Sequence, residues 1–270
     1  YSSAASDVYK RQIQERSYTI RREAGRRSGY GMKRAPAVAV SAVAWSIFQL
    51  VTSARLWIVD ITLQRSMHVM FALNLIFLLY PPSKKMSKEK LIPLDLFLAL
   101  VAVFTGVYYV AELGRITARM RMYIEPATNL DLIFGTIIII LVLEATRRTV
   151  GLPLVGVALF FMAYGFFSPL LPGVLYFRGF SLQRMVELQF LSMDGIYGVA
   201  VGVSATYIFL FMLFAAFLER TGVGEFFMDL AFALTGRTRG GPAKAAVIGS
   251  ALVGTVIGSG SANVATTGVF

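Results

Sequence analysis

The sequence predicts an all-α membrane protein with about six transmembrane helices, followed by a re-entrant helical hairpin. Hydrophobic residues make up 56% of the 270 residues, charged residues only 15%, and the mean hydropathy is +0.66. Several apolar runs approach the roughly 20 residues that are needed to cross a bilayer. Soluble domains carry about 25% charged residues, so the composition disfavours a soluble protein.

Six apolar runs are expected to form helices, because lipid leaves the backbone amides of an open chain no other partner. The fourth run is short, lies between Asp131 and Glu144, and taken alone also fits a buried helix of a soluble protein. The runs cover residues 36–54, 66–80, 94–111, 130–145, 152–171 and 196–218.

The distribution of basic residues predicts the orientation of these spans. Of the 26 Lys and Arg residues, 19 fall on one side of the predicted layout and seven on the other. Cytoplasmic loops carry the excess of Lys and Arg, so the N-terminus is predicted to be cytoplasmic. The net charge of +11 then indicates contact with lipid headgroups and cytoplasmic loops rather than with nucleic acid.

Residues 1–34 are predicted to be a basic cytoplasmic tail. The first 12 residues, YSSAASDVYKRQ, fit no part of the later pattern and are expected to be non-native. Met32 is a candidate start, since MKR then leads into the first apolar run. That start also resembles a signal peptide, but the further hydrophobic spans favour an uncleaved first helix.

The chain has no cysteine and one histidine, His68, so disulfides, thiolate metal sites and multi-His centres are excluded. His68 is expected to be a packing or interfacial residue, and Asn74 to bond a neighbouring helix. Asp131 and Glu144 are expected to snorkel from the ends of the fourth span.

The pattern changes after the sixth span. A short amphipathic segment, Glu225 to Leu234, is expected to lie at the cytoplasmic interface. The turn GRTRGG follows, and then an apolar half-length helix, residues 245–257, leads into GSGSAN and VATTGVF. A half-length helix, a polar tip and a second half-helix predict a re-entrant hairpin. Secondary transporters bind ions and substrates at such broken helices.

The tip is predicted to bind a monovalent cation. Glycines free backbone carbonyls, and serine and asparagine side chains add neutral oxygens, which suit Na⁺. Ca²⁺ and Mg²⁺ generally draw on carboxylates, and none follows Asp229. The predicted Na⁺ ligands are Gly258, Ser259, Gly260, Ser261 and Asn263, and Thr266 and Thr267 are assigned to the substrate.

Several alternatives to a cation site remain open. Gly254 and Gly258 have the spacing of close helix packing, which serine and threonine hydroxyls then support. The N-terminus of the second half-helix could instead attract an anionic substrate. An intramembrane hydrolase would need Ser259 with His68 as its base, and these residues are predicted at opposite faces. A passive channel or a structural membrane subunit is a further alternative.

Three segments in order resemble a known family: LEATRRTVGLPLVGVALFFMAYGFFSPLLPG, DGIYGVAVGVSATY, and the stretch from FLFMLFAAFLERTGVGEFF to ANVATTGVF. They are similar to the large membrane subunit of TRAP transporters (tripartite ATP-independent periplasmic transporters), in the form fused to the small subunit. The resemblance divides the chain into the tail, a small-subunit-like region of four helices, residues 35–148, and the start of the large subunit, residues 149–270.

The resemblance implies a function. A periplasmic binding protein delivers an organic acid or similar solute, and Na⁺ symport drives an elevator motion in the bacterial inner membrane. No enzymatic activity and no organic cofactor are expected. In the family, the tip of the first of two hairpins helps to bind Na⁺. The second hairpin is absent from this sequence, so the chain is expected to be an N-terminal fragment.

Overall fold

The computed structural model describes residues 35–82, 93–122, 127–236, 238, 240–256, 260 and 263. In that part of the chain all regular structure is helical. The α-helices are α1 (Ala35–Ser53), α2 (Ile61–Leu79), α3 (Pro93–Ala111), α4 (Leu113–Met122), α5 (Asn129–Thr149), α6 (Leu152–Phe167), α7 (Leu182–Phe190), α8 (Val199–Val203), α9 (Phe209–Arg220), α10 (Val223–Thr235) and α11 (Gly241–Gly254).

Six stretches of the described chain are long and apolar enough to cross a membrane, which confirms the polytopic helical fold class. The largest difference from the sequence prediction is the start of the second span, which begins at Ile61 because Asp60 caps α2 by accepting from the Thr62 amide at 2.8 Å. The spans are Pro36–Ser53, Ile61–Leu79, Pro93–Ala111, Asn129–Thr149, Leu152–Leu170 and Val199–Leu218.

The first of two compact units contains residues 59–199 and α1 as far as Phe48. In it, α2 packs on α3, and α5 packs on α2, α3 and α7. The core includes Phe77, Tyr109, Ile138 and Phe190. Gly151, at φ +116°, lets the chain reverse within two residues between α5 and α6, a conformation that side chains with a Cβ rarely adopt.

The second unit contains residues 49–58 and the residues from 200 onward. A π-helical segment, Ser204–Ile208, joins α8 to α9 within the sixth span. α10 contacts α9 and packs closely on α11. These units do not follow the boundary at residue 148 that the resemblance implies, and that domain division stays a prediction.

Candidate functional site

The helical hairpin formed by α10 and α11 precedes the predicted cation site. α10 ends at Thr235, whose hydroxyl donates to the Ala231 carbonyl at 2.7 Å and to the Gly241 carbonyl at 3.3 Å. Gly240 lies immediately before α11 and adopts φ +72°. This backbone conformation is unfavourable for residues that have a Cβ atom. The amphipathic helix and the glycine turn expected from the sequence are therefore both present.

α10 and α11 approach closely because α11 presents a glycine to its neighbour. A Cβ atom at Gly249 would overlap the Sδ atom of Met228 on α10 and would lie 3.7 Å from the Cβ atom of Ala231. Ala231 and Val253 are buried in the same unit. Small residues let helices in membranes pack closely, so this part of the hairpin is held by shape rather than by charge.

The chain turns back after α11. The Asn263 side-chain nitrogen donates to the Ser250 carbonyl at 3.1 Å, although 13 residues separate the two positions. A straight α-helix would place these residues about 20 Å apart, at 1.5 Å per residue. A Cβ atom at Gly254 would lie 3.1 Å from the same Asn263 nitrogen, so Gly254 leaves room for the returning amide.

Two of the predicted ligands, Gly260 and Asn263, lie within the described residues, and both are helical. Five other predicted site residues lie outside the described residues, and their assignments stay predictions: Gly258, Ser259, Ser261, Thr266 and Thr267. Within the described ranges, no group of three or more His, Cys, Asp or Glu side chains could hold a metal ion.

Sequence reasoning missed an ion-pair cluster around Asp131, at the start of α5. Arg115 on α4 binds both carboxylate oxygens, at 2.7 and 2.9 Å, and the Tyr108 hydroxyl donates at 2.8 Å. Asp131 is buried and also forms a capping box with Thr128. The expectation that Asp131 snorkels is therefore wrong. The hydrogen bond to Asp131 raises the pKa of Arg115 and keeps the guanidinium charged. The spacing Thr128-x-x-Asp131 is a readable capping signal.

A second cluster lies at the other end of α5. Arg148 donates to Asp95 on α3 at 2.8 Å, to Glu144 at 2.7 Å, and to the carbonyl of Tyr80 at 3.0 Å. The side chains of Arg148 and Asp95 are 0% and 1% exposed. Glu144 also binds Arg147 through two bonds, at 2.7 and 2.8 Å. Snorkelling therefore does not explain Glu144, whose carboxylate is held by two arginines.

Two other expectations are confirmed. Asn74 accepts from the Ser41 hydroxyl on α1 at 3.0 Å and donates to the Ala99 carbonyl on α3 at 3.4 Å, so it bonds neighbouring helices. His68 is buried, with its ring 5.0 Å from that of Trp45 in an edge-on arrangement, as a packing residue would be.

The comparison with protein families identifies the C-terminal half. Residues 137–270 match the family described as Tripartite ATP-independent periplasmic transporter, DctM component. Those residues belong to a TRAP transporter membrane component. The comparisons with curated proteins and with solved structures found no match.

The family membership determines the class of protein. A TRAP membrane component is a multi-pass membrane protein, a secondary transporter component rather than an enzyme, so the hydrolase alternative is rejected. It implies a periplasmic substrate-binding protein as its partner. Residues 1–136 lie outside the match, so their likeness to a small subunit stays a prediction.

Proposed function

We propose that this TRAP membrane component imports organic acids or similar small solutes by Na⁺ symport, with a periplasmic binding protein delivering the solute. The observation that carries this proposal is the return of the chain at Asn263 within the DctM-matched segment. Helices that break and reverse are the sites at which secondary transporters place ions and substrates.

The proposed Na⁺ ligands are the backbone and side-chain oxygens of Gly258, Ser259, Gly260, Ser261 and Asn263. The geometry of Asn263 supports its inclusion. A carbonyl only accepts hydrogen bonds, so the amide nitrogen must face the Ser250 carbonyl, and the amide oxygen faces away from it. That oxygen is buried, which suits a ligand for a weakly held cation.

The proposed substrate contacts are Thr266 and Thr267, one turn beyond the ion site. An organic acid carries a carboxylate, which a hydroxyl and the N-terminus of a half-helix both favour. The proposal also places the protein in the bacterial inner membrane with its N-terminus in the cytoplasm. The region that contains the re-entrant hairpin is proposed to move by an elevator mechanism.

Uptake measurements in proteoliposomes test the proposed ion site. The intact transporter that contains this chain is reconstituted with its binding protein, and uptake is measured against Na⁺ concentration. Removal of a ligand oxygen in Ser261→Ala or Asn263→Ala is expected to raise the half-activating Na⁺ concentration about tenfold or more, equivalent to about 1.4 kcal/mol of binding free energy. Thr136→Ala is the matched control, because this exposed hydroxyl bonds only within α5, to the Leu132 carbonyl at 2.7 Å, among the described residues.

Asn263→Asp separates ion binding from packing. It keeps two oxygens at this position but loses the nitrogen that donates to Ser250. A ligand role predicts that Asn263→Asp retains Na⁺ activation better than Asn263→Ala, whereas a packing role predicts equal losses of folded protein in both. If uptake by Ser261→Ala and Asn263→Ala depends on Na⁺ as it does in the unsubstituted protein, residues 258–263 contribute to packing and do not bind Na⁺. Uptake without any Na⁺ gradient would favour a passive channel.

A further inference from the structure

The segment that follows α6, residues 171–180 (the 171–180 loop), folds back along the helix it leaves. The Phe180 amide donates to the Gly165 carbonyl at 2.8 Å, and the Tyr164 hydroxyl donates to the Leu175 carbonyl at 3.0 Å. The Ser168 hydroxyl donates to the Phe177 carbonyl at 3.3 Å. The loop therefore lies beside the last turns of α6 rather than projecting away from its end.

These bonds place the loop at the depth of the membrane span. The fifth span runs from Leu152 to Leu170, so Gly165 lies five residues inside its end. At 1.5 Å rise per residue in α-helix and about 2.0 Å in the closing 3₁₀ turn, Ser168–Leu170, that distance is about 9 Å. Phe180 has the depth of Gly165, Phe177 lies near Ser168, and the Leu175 carbonyl lies at the hydroxyl end of the Tyr164 side chain.

The tip of the loop is apolar and exposed, which is unusual for a connecting segment. Val174 is fully exposed, Leu175 and Tyr176 are 56% and 63% exposed, and Leu170 at the end of the span is 80% exposed. A contiguous exposed apolar patch marks an interaction surface. Arg178 lies two residues after Tyr176, and it is exposed too.

The loop is held in one shape from within. Gly179 adopts φ +76°, and a Cβ atom there would lie 2.6 Å from the Cγ atom of Pro169. The rings of Phe177 and Phe180 meet edge to face at 5.1 Å. The apolar side chains at the tip are therefore presented by a fixed backbone.

The depth of the loop identifies what covers it. Irregular backbone exposed to the hydrocarbon core is not tolerated, because its amides and carbonyls would have no partner. About 9 Å from the end of a span lies within the 5–10 Å to which interfacial segments enter the headgroup and acyl boundary, where water still reaches the backbone. Tyrosine and arginine side chains act as anchors at that level, and the loop carries Tyr176 and Arg178.

We propose that the 171–180 loop is a lipid-binding element that inserts Val174, Leu175 and Tyr176 into the bilayer interface beside the end of α6. The inserted side chains fix the depth and tilt of α6, as interfacial anchors do for membrane helices. This inference goes beyond the proposed function and does not depend on Na⁺ or on the substrate.

Spin labels at single cysteines test the insertion directly, because the chain has no native cysteine. The full chain is reconstituted into vesicles of phosphatidylethanolamine and phosphatidylglycerol, and the label at Val174→Cys is measured for collision with oxygen and with a water-soluble nickel chelate. Phe160→Cys, exposed near the middle of α6, is the deep reference. Asp194→Cys, an exposed carboxylate position after α7, is the aqueous reference.

Insertion predicts an oxygen-to-nickel collision ratio at Val174 between those of the two references, with a depth of several ångströms below the lipid phosphates. The same result is expected at Leu175→Cys, which serves if Val174→Cys does not fold. A ratio equal to that at Asp194 would place the loop in water and overturn the proposal. An immobilised label that neither reagent reaches would mean that protein covers the tip, and it would overturn the proposal as well.

Discussion

The bundle of α2, α3 and α5 and the hairpin of α10 and α11 satisfy their polar groups in different ways. The bundle pairs full charges: Arg148 with Asp95 and Glu144 at one end of α5, and Arg115 with Asp131 at the other. The hairpin, together with Asn263 after it, uses a hydroxyl, an amide and backbone carbonyls, with glycine at the closest approaches.

The difference indicates a division of roles. A buried ion pair adds little net stability, but breaking it leaves an uncompensated charge, so it holds its helices in one arrangement. Neutral oxygens and small side chains impose no such penalty when they move, and they suit an ion that binds and leaves. The proposed function therefore assigns the bundle to a fixed support and the hairpin to the reversible ion site.

The largest effect is expected from Arg148→Ala. This substitution leaves the Asp95 carboxylate buried without its arginine, at a cost of about 3–5 kcal/mol in the free energy of unfolding. Thermal unfolding of the purified protein in detergent, followed by circular dichroism, checks the prediction. Arg147→Ala is the matched control, because its side chain is 37% exposed and pairs with Glu144.

The double variant Arg148→Met with Asp95→Leu is expected to recover much of the lost stability, since it removes both buried charges. If Arg148→Ala and Arg147→Ala unfold at the same temperature, the Arg148 cluster does not stabilise the bundle.

A smaller effect is expected from alanine at the glycines of the two regions. A Cβ atom at Gly135 on α5 would overlap Val186 of α7, whose branched side chain has little rotamer freedom, so Gly135→Ala is expected to cost about 1–3 kcal/mol. At Gly249 the overlap is with the end of Met228, a flexible side chain, and a cost below about 1 kcal/mol is expected. The same melting experiment ranks the variants, and Val186→Ala is expected to rescue Gly135→Ala. An equal or reversed order would contradict the contrast between an adaptable hairpin and a rigid bundle.

Much of the fold was predictable from the sequence because apolar length alone specifies membrane helices. The first and third spans were predicted to within one residue at each end, and the sixth to within three. The early start of α2 could have been read from Asp60, a capping residue before Ile61-Thr62. α4 and α7 were not predicted, because short segments rich in arginine or glutamine lack the length and apolarity that identify a span.

The polar contacts were less predictable, for a physical reason. The pairs Glu144–Arg147 and Glu144–Arg148 follow from helical spacing. The pairing of Asp95 with Arg148 joins residues 53 positions apart, and only the packing of α3 on α5 brings them together. At the candidate site, glycine and serine content predicted a break in the helix, but the contact of Asn263 with Ser250 depends on the exact path of the returning chain.

The central claim is that the chain reverses between α11 and Asn263. Cysteines at Gly254 and Asn263 test it most directly, because a Cβ atom at Gly254 would lie 3.1 Å from the Asn263 side chain. In membranes treated with an oxidant, Gly254→Cys with Asn263→Cys is expected to form a disulfide. The pair Val247→Cys with Asn263→Cys is expected to form none, since Val247 lies seven residues, about 10 Å, before Gly254 along α11. No disulfide from the first pair, with both thiols still open to alkylation, would contradict a reversing chain and with it the proposed ion site.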